Sequence, residues 1–324
     1  MPIIAESTYR PDWLYRRSHP STILPTLLRP AARLPLVRER LEIPDGDFID
    51  LDCLRNGSDR AVILCHGLEG NARRKYMLGM AQAFFRRGWD VVGYNYRGCS
   101  GEINRLPRGY HSGATEDLQV VMEQVGASSW KDLVLIGFSM GGNLILKYLG
   151  EDPENVLPNI RAAVTFSVPA DLGNSCGELI RPKNWVYHQR FLRLLRKKIE
   201  LKAHRHPDMI DITRLKRVRT LIDFDDLYTA PMHGFVDADD YYRSCSCRQF
   251  MTRIRVPALL VSAKNDPFLG PSCYPFAEAR DSQWLHLETP DHGGHVGFHA
   301  SGREYWSECR AVEFISAILP AASK

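Results

Sequence analysis

The sequence predicts an α/β fold in which helices cover both faces of a mostly parallel central sheet. Three observations predict it. From residue 61 onward, short runs of Val, Ile and Leu alternate with segments whose apolar residues recur at helical spacing. The apolar runs are uninterrupted, which is typical of parallel strands that are buried on both faces. With 324 residues, 44% of them hydrophobic, the chain is long enough to bury a sizeable core.

The N-terminal part precedes this alternation. Residues 1–40 are rich in Arg and Pro and have no clean period, so we expect an N-terminal arm that drapes over the core. Residues 41–43 and 47–51 form two extended runs on either side of Pro44-Asp45-Gly46, a tripeptide that favours a turn. This pattern predicts a β-hairpin.

The alternating part predicts strands over 61–64, 90–94, 133–136 and 162–166, with helices over 75–86, 116–125 and 141–149. The alternation stops at about residue 172, and a helical stretch that is basic between Arg181 and Arg219 runs to about residue 253. Strands then resume over 258–262 and 284–287, and 304–319 predicts a closing helix. The simplest topology is a single domain over residues 1–324, with a helical cap insertion over about 172–253 near the strand tips.

Composition and charge exclude several classes of function. The net charge of +4 is mild, so the sequence predicts no nucleic-acid partner. No stretch approaches the ~18 uninterrupted apolar residues of a membrane span. The N-terminus is also a poor signal peptide, so we expect a cytoplasmic protein. The eight cysteines form neither a disulfide framework nor a zinc pattern, and Cys65 and Cys99 are expected to be small buried apolar residues.

A serine nucleophile is predicted at Ser139. Residues 137–141, Gly-Phe-Ser-Met-Gly, match the Gly-x-Ser-x-Gly pattern directly after a strand and at the start of a helix. The turn crowds the flanking side chains, so only Gly fits at both positions, and the backbone N–H of Met140 points at the reacting oxygen. The alternative is a tight turn with an incidental serine, but the strand–turn–helix context favours the nucleophile.

The acid of a catalytic triad is predicted at Asp266. A serine hydroxyl is a poor nucleophile until a neighbouring base removes its proton. In this arrangement the acid and then the histidine follow later strands along the chain. Asp266 comes directly after the 258–262 strand, where it would hold the imidazole in its useful tautomer. Its alternative role is to initiate an Asp-Pro turn.

The base is predicted at His295, in the loop after the 284–287 strand. Glycines flank His295 and let the loop deliver its ring to Ser139, while His292 is the runner-up for this role. The spacing of His292, His295 and His299 does not predict a metal site. Glycines break any helix there, and no carboxylate or cysteine completes a ligand set.

A second oxyanion donor, besides the N–H of Met140, is predicted at Leu68. The segment His66-Gly67-Leu68-Glu69-Gly70 follows the first strand of the alternation, where hydrolases of this kind place a His-Gly loop. We expect His66 to brace this loop. Glu69 is expected to be a hydrogen-bond acceptor that fixes the loop rather than a catalytic acid.

These motifs belong to a longer set of segments: Pro44-Asp45-Gly46-Asp47-Phe48, His66-Gly67-Leu68-Glu69-Gly70, Tyr96-Arg97-Gly98-Cys99-Ser100-Gly101-Glu102, residues 110–118, residues 137–142, Phe224-Asp225-Asp226, Thr229-Ala230-Pro231, His233-Gly234-Phe235, Asp240-Tyr241-Tyr242 and residues 293–298. In this set the chain resembles, from Leu41 to Phe298, the YheT-like α/β-hydrolases, bacterial relatives of the eukaryotic abhydrolase lipases. One departure is His19-Pro20-Ser21-Thr22, where the family tends to have His-Leu-Gln-Thr, and this leaves the fit of the N-terminal arm open.

The resemblance implies an α/β-hydrolase fold and the triad Ser139, Asp266 and His295. It also implies carboxylesterase or acylglycerol-lipase activity on short- to medium-chain acyl esters. Together with the motifs around Ser139, Asp266 and His295, the resemblance predicts a carboxylic ester hydrolase. The enzyme would form an acyl-enzyme on Ser139 and need neither metal nor organic cofactor. An acyltransferase with the same triad is the nearest alternative. A non-catalytic scaffold is a further one, although such proteins typically lose part of the triad.

Several charged and aromatic residues outside the triad have two interpretations. Arg97 and Asp117 could bind substrate, but we favour a buried pair that braces two loops. The residues Asp225, Asp226, His233 and Tyr241 either line the pocket or lock the insertion onto the sheet.

A basic helix in the insertion also has two interpretations. Its charged residues are Arg193, Arg196, Lys197 and Lys198, and they lie beside Phe191, Leu192, Leu194 and Leu195. Such a helix could make weak contact with a membrane surface. The favoured alternative is a solvated face whose other side covers the core.

Overall fold

The fold is built on a nine-stranded sheet, in a computed structural model that describes residues 3–126 and 130–319. The strands are β1 (Ile3–Ile4), β2 (Val37–Glu42), β3 (Phe48–Leu54), β4 (Arg60–Cys65), β5 (Asp90–Tyr94), β6 (Asp132–Phe138), β7 (Ile160–Phe166), β8 (Ala258–Val261) and β9 (Leu285–Glu288). They lie in the order β1-β9-β8-β7-β6-β4-β5-β3-β2. β3 pairs antiparallel with both β2 and β5, and the other neighbours pair parallel. The predicted hairpin is formed by β2 and β3.

The described residues form the helices α1 (Ser18–Leu28), α2 (Lys75–Phe85), α3 (Thr115–Gly126), α4 (Met140–Glu151), α5 (Leu172–Leu179), α6 (Trp185–Arg205), α7 (Leu221–Phe224), α8 (Ala230–Met232), α9 (Ala238–Cys245), α10 (Phe276–Arg280) and α11 (Trp306–Ile318). A π-helical turn, Asp225–Thr229, joins α7 to α8. Across the two described stretches, every helix is too short or too polar to cross a bilayer.

Alternate side chains of the central strands point into two separate cores. On β4, Ala61 and Ile63 join one apolar cluster, whereas Val62 and Leu64 join the other. Helices α3 and α4 contribute to the first cluster, and α2 and α11 contribute to the second. Because helices thus cover both faces of a mostly parallel sheet, and a helical segment interrupts the strands, the predicted α/β-hydrolase fold is confirmed.

A third apolar cluster belongs to the helical segment between β7 and β8, the stretch for which a cap insertion is predicted. It contains Leu192 of α6, Phe224 of α7 and Tyr241 of α9, together with Phe268, which follows β8. The cluster therefore attaches the cap to the carboxyl ends of the strands. The predicted domain spans residues 1–324, and residues 1–2, 127–129 and 320–324 of it lie outside the described residues.

The N-terminal arm is more regular than its sequence indicates. β1 extends the sheet beside β9, and α1 forms although Pro25 lies inside it. Pro20 and Pro25 hide the helical period, but Pro20 lies in the first turn, where a backbone N–H has no partner in the helix to lose. Because Pro25 weakens its intrinsic helix propensity, α1 depends on packing against the rest of the molecule.

Candidate active site

Ser139 lies in the turn that joins β6 to α4. Its backbone is left-handed, with φ of 54° and ψ of −120°. The flanking glycines allow the turn to close: a Cβ atom on Gly137 would lie 2.4 Å from the carbonyl oxygen of Gly141, and one on Gly141 would lie 2.3 Å from that of Cys65. This strained turn presents the Ser139 side chain at the carboxyl end of the sheet.

The structure brings the predicted acid and the predicted histidine to this serine. His295 Nε2 lies 2.9 Å from Ser139 Oγ, and His295 Nδ1 lies 2.9 and 3.1 Å from the carboxylate oxygens of Asp266. The Asp266 side chain is buried and accepts a further hydrogen bond from the N–H of Phe268. A carboxylate in this position favours the tautomer with its hydrogen on Nδ1, which leaves Nε2 free to accept the serine proton.

Side chains from distant parts of the chain hold the loop that carries His295. Its backbone N–H donates to Thr22 Oγ1 on α1 at 3.0 Å, and the N–H groups on either side donate to Asn265 Oδ1 and Ser167 Oγ, each at 2.9 Å. The sequence reasoning missed all three residues. The one available signal was Thr22, which the resembling family shares in the segment His19-Pro20-Ser21-Thr22.

His292 and His299, the other two histidines of the loop after β9, do not contact the serine. His292 borders a separate surface groove, and His299 stacks on Tyr15 with ring centroids 3.9 Å apart. Of the three, only His295 reaches Ser139. Among the described residues, no group of three or more His, Cys, Asp or Glu side chains is placed to hold a metal ion.

Leu68 and Met140, the two predicted oxyanion donors, flank the serine. Leu68 follows β4, Met140 begins α4, and both line the same cavity as Ser139. The N–H groups on either side of Leu68 donate to two tyrosine hydroxyls, which fixes the loop. The loop touches the serine closely, because a Cβ atom added at Gly67 would lie 3.2 Å from that of Ser139.

His66 and Glu69 both contact this loop. His66 Nδ1 lies 2.7 Å from the carbonyl oxygen of Gly67, and burial lowers the pKa of His66 to about 3, so its ring is neutral at physiological pH. Glu69 has a left-handed backbone with φ of 52°. Its carboxylate accepts hydrogen bonds from Tyr110 Oη and from Lys198 Nζ on α6, each at 2.6 Å. These contacts fit a bracing role for both residues.

A cavity of about 140 Å³ opens beside the serine and extends under the cap. One wall is a face of α6, on which Phe191, Leu195, Ile199 and Lys202 recur at helical spacing. The rest of the lining is mostly apolar and includes Pro169, Leu172, Leu179, Leu221, Phe224, Tyr228, Met232 and Phe268. Of the four cap residues with two interpretations, Asp225, His233 and Tyr241 line the cavity, whereas Asp226 accepts a hydrogen bond from the N–H of Ala238.

Arg97 joins three aspartates away from the cavity. It donates to Asp117 on α3 at 2.7 Å, and to Asp45 and Asp47 in the β2–β3 turn at 2.8 and 3.1 Å. Arg97, Asp47 and Asp117 are buried. Since neither Arg97 nor Asp117 lines the cavity, the two brace the structure, as the favoured interpretation has it.

The basic face predicted on α6 is only partly free. Lys198 turns inward to the loop of Leu68, and Arg196 donates to the carbonyl oxygen of Val218. Arg193 and Lys197 are exposed. Weak membrane-surface contact therefore stays a prediction, and it rests on fewer charges than the sequence indicates.

Known proteins resemble this chain over most of its length. A family model described as serine aminopeptidase, S33, matches residues 57–295. YheT of Escherichia coli (strain K12), whose name proposes an esterase, is 36% identical over 322 residues, which cover 95% of this chain and 93% of YheT. The phospholipase ABHD3 of Mus musculus is 29% identical over 309 residues, which cover 92% of this chain and 74% of that protein.

A solved structure agrees with these relatives in fold. The esterase Pf2001 of Pyrococcus furiosus matches with a TM-score of 0.58 and 15% identity, over 90% of this chain and 98% of its own. At that identity the likeness shows the fold alone. The family model and the YheT relative, by contrast, match at the level of sequence over most of the chain. The chain therefore belongs to the YheT-like family of α/β-hydrolases.

Proposed function

We propose that the protein is a serine carboxylesterase of the lipase type, which cleaves short- to medium-chain acyl esters through an acyl-enzyme on Ser139. The observation that carries this proposal is the hydrogen-bonded chain from Ser139 Oγ through His295 to Asp266, at the mouth of an apolar cavity. The names of the relatives support the broader class, an ester-hydrolysing enzyme of the esterase and lipase type.

In the proposed mechanism, Ser139 Oγ attacks the ester carbonyl carbon while His295 Nε2 takes the serine proton. Asp266 holds the imidazole in place and stabilises the imidazolium that forms. The backbone N–H groups of Leu68 and Met140 donate to the oxyanion of the tetrahedral intermediate. When the intermediate collapses, His295 gives its proton to the leaving alcohol.

Water completes the cycle. It enters the site vacated by the alcohol, loses a proton to His295 Nε2 and attacks the acyl-enzyme, and the acid leaves as Ser139 regains its proton. Each step uses groups of the chain itself, so the mechanism requires no cofactor.

The shape of the cavity supports a limited acyl length. The cavity extends under the cap, and its volume of about 140 Å³ is small for an apolar binding site. Apolar side chains such as Leu172, Leu195 and Phe268 offer contacts to an acyl chain. We therefore expect the rate to fall for long acyl chains.

The test is hydrolysis of p-nitrophenyl esters with acyl chains from two to sixteen carbons. Ser139→Ala should lower turnover by about a thousandfold or more relative to the wild type. Ser301→Ala, which removes the same hydroxyl at an exposed position, is the matched control and should keep the wild-type rate. Equal rates in the wild type and Ser139→Ala would exclude Ser139 as the nucleophile.

The same assay with an added alcohol separates hydrolysis from acyl transfer. A hydrolase releases mainly free acid when a short alcohol is supplied as acceptor. Ester product in excess of acid would instead assign the acyl-enzyme to an acyltransferase.

A further inference from the structure

Asp225 is a carboxylate under the cap that faces the catalytic cavity. Thr229 Oγ1 donates to its Oδ1 and Tyr242 Oη donates to its Oδ2, each at 2.6 Å. Among the described residues no cation pairs with it, and its charged neighbour is Asp226, another carboxylate. Two hydroxyl donors leave acceptor capacity on both oxygens, because an ionised carboxylate has about four lone-pair sites.

Asp225 is half-buried beside the cavity, and a carboxylate that is partly removed from water without a cation is costly. Burial raises the pKa of Asp225 to about 6, so the group is still mostly ionised above pH 7. Asp225 also begins the π-helical turn Asp225–Thr229. Such turns are rare, and they are found frequently at functional sites.

Aromatic rings share the cavity wall with this carboxylate. Phe224 and Tyr228 have ring centroids 5.5 Å apart, and those of Tyr241 and Tyr242 are 5.2 Å apart. All four line the cavity with Asp225. Because the face of an aromatic ring is electrically negative, these rings and the carboxylate attract the same kind of ligand, a cation.

The basic side chains that line the same cavity do not neutralise Asp225. Burial lowers the pKa of His111 and lowers that of His233 to about 4, so both rings are neutral. Lys198 is paired with Glu69. Lys202 donates to two backbone carbonyl oxygens. His295, which also lines the cavity, is paired with Asp266. Asp225 therefore has no cationic partner within the described part of the chain.

We propose that Asp225 forms a cation-binding subsite of the catalytic cavity, and that the ester substrate carries an ammonium group which binds between this carboxylate and the aromatic rings of the cavity wall. The inference rests on the proposed function, because it gives the chemical class of the substrate for that same site. A charged ester gains a Coulombic contact and cation–π contacts that an uncharged ester of equal shape lacks.

The test compares matched pairs of esters that end in a trimethylammonium group or in its uncharged tert-butyl isostere. One pair carries the group on the alcohol and the other carries it on the acyl chain. In at least one pair the wild type should favour the charged ester by roughly ten- to a hundredfold in kcat/KM. Asp225→Asn should abolish that preference, so that the charged and the uncharged ester of each pair react with similar kcat/KM.

Asp226→Asn is the matched control, since it removes the neighbouring carboxylate, which is exposed. It should keep the preference for the charged ester. The absence of a preference in both pairs, or a preference that persists in Asp225→Asn, would overturn the proposal.

A binding measurement separates this proposal from the proposed function. Calorimetry compares hexyltrimethylammonium with 1-hexanol on the wild type and on Asp225→Asn, and needs no turnover. If the wild type binds hexyltrimethylammonium more tightly than 1-hexanol, the result supports the subsite even when no ester is cleaved. In that case only the esterase proposal fails. Equal affinity of the wild type for both probes overturns the subsite, whether or not the variant folds.

Discussion

His295 and His292 lie in the same loop, and only the ring of His295 contacts Ser139. We expect His295→Ala to lower kcat/KM on a p-nitrophenyl ester by about a thousandfold or more, because the serine loses its base. His292→Ala removes the same ring nearby and should stay within about twofold of the wild type, since that side chain borders a separate groove. Similar losses in both variants would point to damage to the loop and against His295 as the base.

Lys202 predicts a pH dependence of stability. Its side chain is buried, and burial lowers its pKa to about 7, whereas an unfolded chain titrates near ~10.4. Between these values the unfolded state binds more protons than the folded state. This group therefore raises the free energy of unfolding with pH, by on the order of 1 kcal/mol per pH unit. The contribution is complete above the unfolded pKa and is lost as the pH falls towards 7.

Urea unfolding of Lys202→Met at pH 7, 8 and 9 tests this dependence. We expect the rise in unfolding free energy to be smaller in Lys202→Met than in the wild type. Lys197→Met, an exposed lysine on the same helix, should keep the wild-type slope. An unchanged slope in Lys202→Met would assign the pH dependence to other groups.

At the scale of elements, α1 holds the histidine loop. Thr22 on α1 accepts the backbone hydrogen bond of His295. Thr22→Val keeps the shape of the side chain but leaves that N–H without its acceptor, so we expect kcat to fall by about tenfold. Thr22→Ser restores an acceptor and should recover most of the rate.

Thr26→Val is the control for this prediction, because Thr26 lies one turn further along α1 and is exposed. It should behave like the wild type in a kcat measurement. If Thr22→Ser is as slow as Thr22→Val, the hydroxyl does not position the loop.

The cap helix α6 also contacts the loop that carries Leu68. Lys198 Nζ lies 2.6 Å from Glu69 Oε1, and Leu68, the predicted oxyanion donor, precedes Glu69 in the chain. Loss of this pair should let the loop relax, so we expect Lys198→Met to lower kcat by roughly tenfold to a hundredfold with less change in KM. Lys197→Met is the matched control. A change confined to KM would instead make Lys198 a substrate-binding residue.

At the scale of the molecule, Arg97 joins three elements. It lies in the loop after β5 and pairs with Asp45 and Asp47 in the β2–β3 turn and with Asp117 on α3. Arg97→Met leaves buried carboxylates without their cation, so we expect a loss of about 3–5 kcal/mol in unfolding free energy, measured by urea titration. Arg97→Lys should recover little, because an ammonium group cannot reproduce the fork of the guanidinium. Full recovery in Arg97→Lys would mean that charge alone holds these elements.

The predicted fold is confirmed, and it could be predicted because it follows from local patterns. The uninterrupted apolar runs of β4 to β9 and the helical periods between them are visible in short windows of sequence. The structure of the N-terminal arm was harder to predict from the sequence, since Pro20 and Pro25 conceal the helical period of α1. The stability of α1 comes from packing against distant parts of the chain, and a short stretch of the arm's sequence does not show that packing.

The sequence by itself determined the order of strands and helices and the residues of the candidate triad, since Ser139, Asp266 and His295 each follow a strand. Parallel strands end at one edge of a sheet, so residues that follow them gather there without further information. Only the tertiary structure decided which side chains hold that site: Thr22 lies 273 positions from His295, and Lys198 lies 129 positions from Glu69. The carboxylate of Asp225 likewise acquires its cavity and its aromatic neighbours only when the cap packs onto the sheet. The reason is physical, because such contacts depend on how whole elements pack against each other, and local sequence periodicity carries no record of that packing.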